Sequence, residues 1–157
     1  MTLTYEAIPA AELTAIRVAG RDEAGNVLMP RIDDEGGSPL RCCLRTTRPG
    51  EQVLLIAYTP PGGAGGYAER GPVFIHAEAC EGYRTPHDYP PDLYGRAQTV
   101  RAYDEQGQIA DGVYVQSGEE ADRAIADLLA RPGVTLVQLR NVGYGCYNFA
   151  VRRGAAS

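Results

Sequence analysis

Six side chains in the 157-residue sequence carry the groups best suited to nucleophilic, redox or metal chemistry: Cys42, Cys43, Cys80, Cys146, His76 and His87. They lie among fifteen basic residues, every one of them an arginine. In a strand, alternate residues point to opposite faces. If Leu40–Thr46 is a strand, Cys42 shares a face with Leu40 and Leu44 and reads as a core thiol. Cys43 shares the other face with Arg41 and Arg45, and two nearby cations favour its thiolate. Cys43 is therefore the candidate nucleophile or redox thiol. His76, Cys80 and His87 supply imidazole and thiolate, the ligands zinc prefers, and a fourth ligand could come from Cys43, Cys146 or Asp88. The close-spaced ligand pairs usual in structural zinc sites are missing. His76 beside Cys80 would equally make an imidazole–thiol dyad, making Cys43, His76 and Cys80 the candidate catalytic set. Against each assignment stands a plainer one, a half-buried thiol or a histidine hydrogen-bonded for structure.

A second group is aromatic and cationic. Tyr67, Tyr83, Arg84, Tyr89, Tyr94 and Arg96 fall in or near glycine- and proline-rich loops, and Arg41 and Arg101 fall on expected strands. Tyrosine hydroxyls and guanidiniums suit a carboxylate or phosphate held in a cleft, so Arg41, Tyr83, Arg84, Arg96, Arg101 and Cys146 are the candidate ligand-binding residues. The same tyrosines could instead pack the loops down, and the arginines could solubilise the surface.

Other chemistry is disfavoured by what is missing. With no lysine there is no Schiff base, no attachment point for pyridoxal phosphate and no phosphate-loop lysine. Asp33-Asp34-Glu35-Gly36-Gly37 lacks the alternating carboxylates of a calcium loop. Gly62-Gly63-Ala64-Gly65-Gly66 has neither a lysine nor a helix start behind it. No serine sits in a Gly-x-Ser-x-Gly elbow. A net charge of -5 argues against a nucleic-acid backbone as partner.

The elements that must position these groups read as α+β. Leu3–Ile8 alternates like a strand, and residues 10–16 look like a short, weaker N-terminal helix. Leu40–Thr46 and Gln52–Tyr58, separated by the turn Arg48-Pro49-Gly50-Glu51, predict a hairpin whose second strand is apolar enough to be buried on both faces. Val73–Ala77 is a short strand before a loop rich in Pro, Tyr and Gly from Cys80 to Gly95. Ala97–Tyr103 and Gln108–Gln116 predict a second hairpin. Ser117 with Glu120 three residues on is a capping box, opening a clear helix over about 118–131 with the stripe Ala121, Ala124, Ile125, Leu128 and Leu129. Val134–Leu139 is then a strand, and Tyr147, Phe149 and Val151 mark the inward face of a last one. The sum is a mostly antiparallel sheet of six or seven strands, covered on one face.

The chain is of ordinary size for one domain spanning residues 1–157. Its N-terminus shows no basic segment leading into an apolar run, and no stretch approaches a membrane span, so a cytoplasmic protein with reduced thiols is expected. Several short stretches, in order, resemble one bacterial family: Asp34-Glu35-Gly36-Gly37-Ser38-Pro39-Leu40-Arg41, Gly50-Glu51, Tyr67-Ala68-Glu69-x-Gly71-Pro72-Val73-Phe74-Ile75-His76, Arg101-Ala102-Tyr103 and Gly145-Cys146-Tyr147. The chain is similar, from about residue 5 to residue 153, to the domain of unknown function 1203. The resemblance implies a small cytosolic bacterial domain and no particular activity. In the family pattern a cysteine often follows the proline where this chain has Leu40, whereas Cys146 matches. The functional expectation is a small protein binding a small anionic ligand at a cleft lined by Arg, Tyr, Cys and His, possessing enzymatic activity or not. The alternatives are a zinc-binding or thiol-redox protein, and a non-catalytic homodimeric interaction module.

Overall fold

The computed structural model describes residues 1–154. Its eight strands are β1 (Leu3–Glu6), β2 (Arg31–Asp33), β3 (Glu51–Tyr58), β4 (Gly71–His76), β5 (Gln98–Asp104), β6 (Ile109–Val115), β7 (Val134–Asn141) and β8 (Tyr147–Arg153). Two helices, α1 (Ala10–Ala19) and α2 (Gly118–Leu129), complete the α+β architecture. The strands divide into a five-stranded sheet ordered β1-β8-β7-β5-β6 and a three-stranded sheet ordered β2-β3-β4. Every pairing between these strands is antiparallel. No helix among the described residues is long and apolar enough to cross a membrane.

The layers follow from alternation. On the five-stranded sheet, Val100, Ala102, Val137, Leu139, Phe149 and Val151 form one core cluster with Ala121, Ile125, Leu128 and Leu129 of α2. Tyr103, Leu136, Tyr147 and Ala150 join a second cluster with Leu54, Ile56, Val73 and Ile75 of the three-stranded sheet. The large sheet is thus covered on both faces, by a helix on one and by the small sheet on the other. The α2 cap forms as its sequence dictates: Glu120 N–H donates to Ser117 Oγ at 3.3 Å. The Glu120 carboxylate accepts from the amide of Gln116, one residue before the expected partner, at 2.7 Å. α1 runs further than residues 10–16 and stops where Gly20 takes the left-handed conformation, φ 69°, which a glycine adopts without strain.

Three expectations are corrected. Leu40–Thr46 is not a strand and forms no hairpin with β3, whose neighbours are β2 and β4. The segment curls back on itself, with Leu40 N–H donating to Arg45 O and Leu44 N–H to Leu40 O, both at 2.9 Å. Isolated bridges help tie it down, among them a parallel one between Leu40 and Phe74 of β4. Second, Tyr147 lies on the face opposite Phe149 and Val151, because the β7–β8 register shifts between Leu139 and Arg140. A bulge inserts one residue and reverses the parity beyond it. Third, the strands form two sheets instead of one, since β3 pairs with β2 and β4 and none of the three pairs with the larger sheet, a choice of partners that apolar patterning does not reveal.

Candidate metal centre

His76 ends β4 and Glu51 begins β3. The register places Val53 opposite His76, which makes Glu51 a diagonal neighbour on the same face. The bridge between Leu40 and Phe74 sets the turn beside β4, so Cys42, two residues on, lies alongside His76. The amide of His76 donates to Cys42 Sγ at 3.2 Å. Leu44 pays for this turn with a left-handed φ of 59°, uncommon for a non-glycine residue and held by a buried side chain. Such strained positions cluster near functional sites.

The two cysteines therefore do not point apart. Cys42 Sγ is 3.4 Å and Cys43 Sγ 3.8 Å from His76 Nδ1, and the two sulfurs are 3.9 Å apart. Cys80, on the loop after β4, completes a cluster in which one ligand atom from each of Cys42, Cys43, His76 and Cys80 lies within 4.8 Å of every other. Cys42 is buried, Cys43 and His76 are half-buried, and Cys80 is exposed.

Behind the imidazole, Nε2 is 3.1 Å from Glu51 Oε2. Arg45 grips the same carboxylate with two bonds of 2.7 and 2.6 Å, and the Arg48 amide adds a third at 2.6 Å. The Arg45 fork holds the Glu51 carboxyl well below the usual range, so it stays ionised. With the proton on Nε2, donated to the ionised Glu51, the Nδ1 lone pair would face the sulfurs, the tautomer a metal-binding histidine needs. Arg45 Nη2 also lies 3.0 Å from Nε2. In the metal-free protein the thiols are unequal: Cys43, receiving a hydrogen bond from Cys42, is lowered to about 6 against the effect of its own burial, with the Arg45 amide and the charges of His76 and Arg45 assisting. Cys42, which holds that hydrogen bond and is buried, is pushed far above the ordinary thiol range. A cavity of about 460 Å³ opens onto this group, lined by Cys43, Cys80, Arg45, Arg48, Tyr83 and Arg84 among others.

Of the residues singled out from the sequence, Cys43, His76 and Cys80 come together, with Tyr83 and Arg84 at the rim. His87 lies elsewhere, its Nδ1 at 2.9 Å from Leu3 O, and belongs to no ligand cluster among the described residues. Asp88 meets Tyr83 through its backbone carbonyl. Arg84 pairs with Glu81 at the surface, and Arg96 donates to Gly37 O at 2.9 Å. Arg41 does not share a face with Cys43: it is buried and donates to the carbonyls of Tyr147 and Pro39. Cys146 lines a different cavity, of about 270 Å³, together with Glu69. Arg101 pairs with that same Glu69. The single cleft expected from the sequence is thus divided in two. Cys42 as a member of the group and Glu51 as its support escape sequence reading, while Arg45, expected as a cation beside Cys43, also grips Glu51. The dipeptide Cys42-Cys43 was the available signal, and strand parity separated what a turn unites.

No curated protein and no solved structure matches the chain. A match to the family described as "Protein of unknown function (DUF1203)" covers residues 37–153, a span that contains Cys42, Cys43, Glu51, His76 and Cys80. The chain belongs to the DUF1203 family.

Proposed function

We propose that this protein binds one zinc ion through Cys42, Cys43, His76 and Cys80, and that the adjoining arginine-lined cleft brings a small anionic molecule to it. The observation that carries the reading is the spacing of the ligand atoms. Tetrahedral zinc with bonds of about 2.3 Å to sulfur and 2.0–2.1 Å to nitrogen places its ligand atoms roughly 3.5–3.8 Å apart. The three separations here are 3.4, 3.8 and 3.9 Å. Three soft thiolates and an imidazole select zinc over magnesium or calcium, which prefer oxygen. Glu51 behind His76 is the carboxylate–histidine arrangement that orients a metal ligand.

The four ligands differ in how firmly they are held. Cys42, Cys43 and His76 sit on a turn and a strand end bonded to each other, whereas Cys80 is exposed on a loop. Cys80 is therefore the ligand that would exchange, opening a coordination position toward Arg45, Arg48 and Arg84. A reducing compartment such as the cytoplasm keeps these thiols available, and the reading takes residues 1–157 as one domain with no nucleic-acid partner, in keeping with the charge of -5.

A metal-free thiol centre is the second reading, favoured by the lowered Cys43. In it Cys43 is the nucleophile or redox thiol, with His76 and Glu51 beside it. Elemental analysis of protein purified without an affinity tag separates the two. About one zinc per chain is expected, retained through dialysis and reduced in Cys80→Ser. Protein that neither carries zinc nor takes it up from micromolar solution would leave only the thiol reading.

A further inference from the structure

The 270 Å³ cavity beside the β7–β8 connection shares no lining residue with the cysteine cluster. Its walls combine Tyr58, Pro72, Val73 and Tyr147 with the charged groups Arg140, Arg70 and Glu69. Arg140 is nearly buried, at 9% exposure. Its Nε donates to Gly145 O at 2.9 Å and Nη1 to Gln138 Oε1 at 2.6 Å, which fixes the guanidinium and leaves Nη2 3.5 Å from Glu69 Oε2. The other oxygen of Glu69 accepts from Arg101, whose guanidinium is also 3.2 Å from Tyr103 Oη. One carboxylate, itself 43% exposed, therefore serves two guanidiniums. Arg70 lines the same cavity, and among the described residues its bond runs to a backbone carbonyl, Glu23 O. The lining carries two guanidiniums, Arg70 and Arg140, against one carboxylate, Glu69, and an arginine fork suits a bidentate oxyanion.

We propose that this cavity binds a small organic oxyanion, a carboxylate or phosphate ester attached to a flat apolar group. Its acid group takes the position between Arg101 and Arg140 that Glu69 now fills, and its apolar part lies against Tyr58, Pro72 and Tyr147. Glu69 is a tethered competitor: exposed, closely paired with Arg101 but 3.5 Å from Arg140, it leaves the Arg140 side loosely filled and swings toward solvent when the ligand arrives. Tyr144, 95% exposed at the tip of the β7–β8 connection and lining the cavity, is placed to fold over the bound group.

The test is an amide NMR titration of the full chain with benzoate and, separately, phenyl phosphate. Shifts concentrated at Gly145, Cys146 and Arg140, saturating in the millimolar range or below, are expected. Glu69→Gln should tighten binding by about threefold or more, because it removes the competing charge, and Arg101→Gln should weaken it by about tenfold. A preference for one probe assigns the acid as carboxylate or phosphate. Shifts scattered over the surface, or a Glu69→Gln chain that binds no more tightly than the wild type, would overturn the proposal. The titration is read with and without added zinc. Since the two sites share no residue, its outcome stands apart from the fate of the metal.

Discussion

Cys42 and Cys43 are neighbours in sequence yet unlike in chemistry, and the difference arises from what each faces. Cys42 is at 1% exposure and receives the amide of His76 on its sulfur, while Cys43 meets the cleft. In metal-free protein the lowered Cys43 group stays a thiolate down to about pH 6 and protonates below it. Alkylation by iodoacetamide should then be fast at pH 7, fall as the pH drops through about 6, and reach Cys43 well before Cys42. The sign for stability is the same: a depressed thiol stabilises the fold above its unfolded value, and that contribution fades as pH falls through about 6. Equal, slow labelling of both thiols across this range would contradict the inequality. Residue types mark all six thiol and imidazole groups, because that chemistry is intrinsic to the side chain, but the parity that separates Cys43 from Cys42 belongs to a strand that does not form. They did not point to Glu51, whose part depends on a cross-strand diagonal, nor remove His87, whose partner Leu3 O comes from a distant segment.

At the scale of elements, local signals were readable and non-local ones were not. The α2 capping box and its apolar stripe lie within thirteen consecutive residues, Ser117 to Leu129, and the helix forms where they place it. Ser117→Ala should cost about 1 kcal/mol in urea denaturation, with zinc content unchanged, since the cap bond is local to the first turn of α2 and only Leu44 of the cysteine turn joins the α2 core cluster. A loss of metal in that variant would contradict the layered arrangement. The 40–46 segment shows the opposite case. Its alternation suggested a strand, but the bonds that shape it include Arg41 N–H to Phe74 O, at 2.9 Å, across a gap in sequence no pattern spans. The β7–β8 bulge is likewise a property of two paired strands and of neither alone.

For the whole molecule, the α+β class and the dominance of antiparallel pairing follow from patterning, whereas the division into two sheets depends on β3 and β4 pairing with each other and not with the larger sheet. That division builds the cysteine–histidine cluster: the small sheet sets His76 and Glu51 diagonally, and its outer edge receives the cysteine turn. A metal bound there clamps the turn at Cys42 to the strand end at His76 and the loop at Cys80. Ligands that bind only the folded state stabilise it, so a chelator should lower the melting temperature and zinc should restore it, an effect absent in Cys42→Ser. An unchanged melting temperature on chelation would deny the clamp. The ligand set itself is decided by zinc K-edge X-ray absorption of the zinc-loaded chain. Three sulfurs at about 2.3 Å and one nitrogen at about 2.0–2.1 Å are expected, with one sulfur replaced by a lighter atom in Cys80→Ser. A shell of nitrogen and oxygen alone would contradict a centre built from Cys42, Cys43, His76 and Cys80.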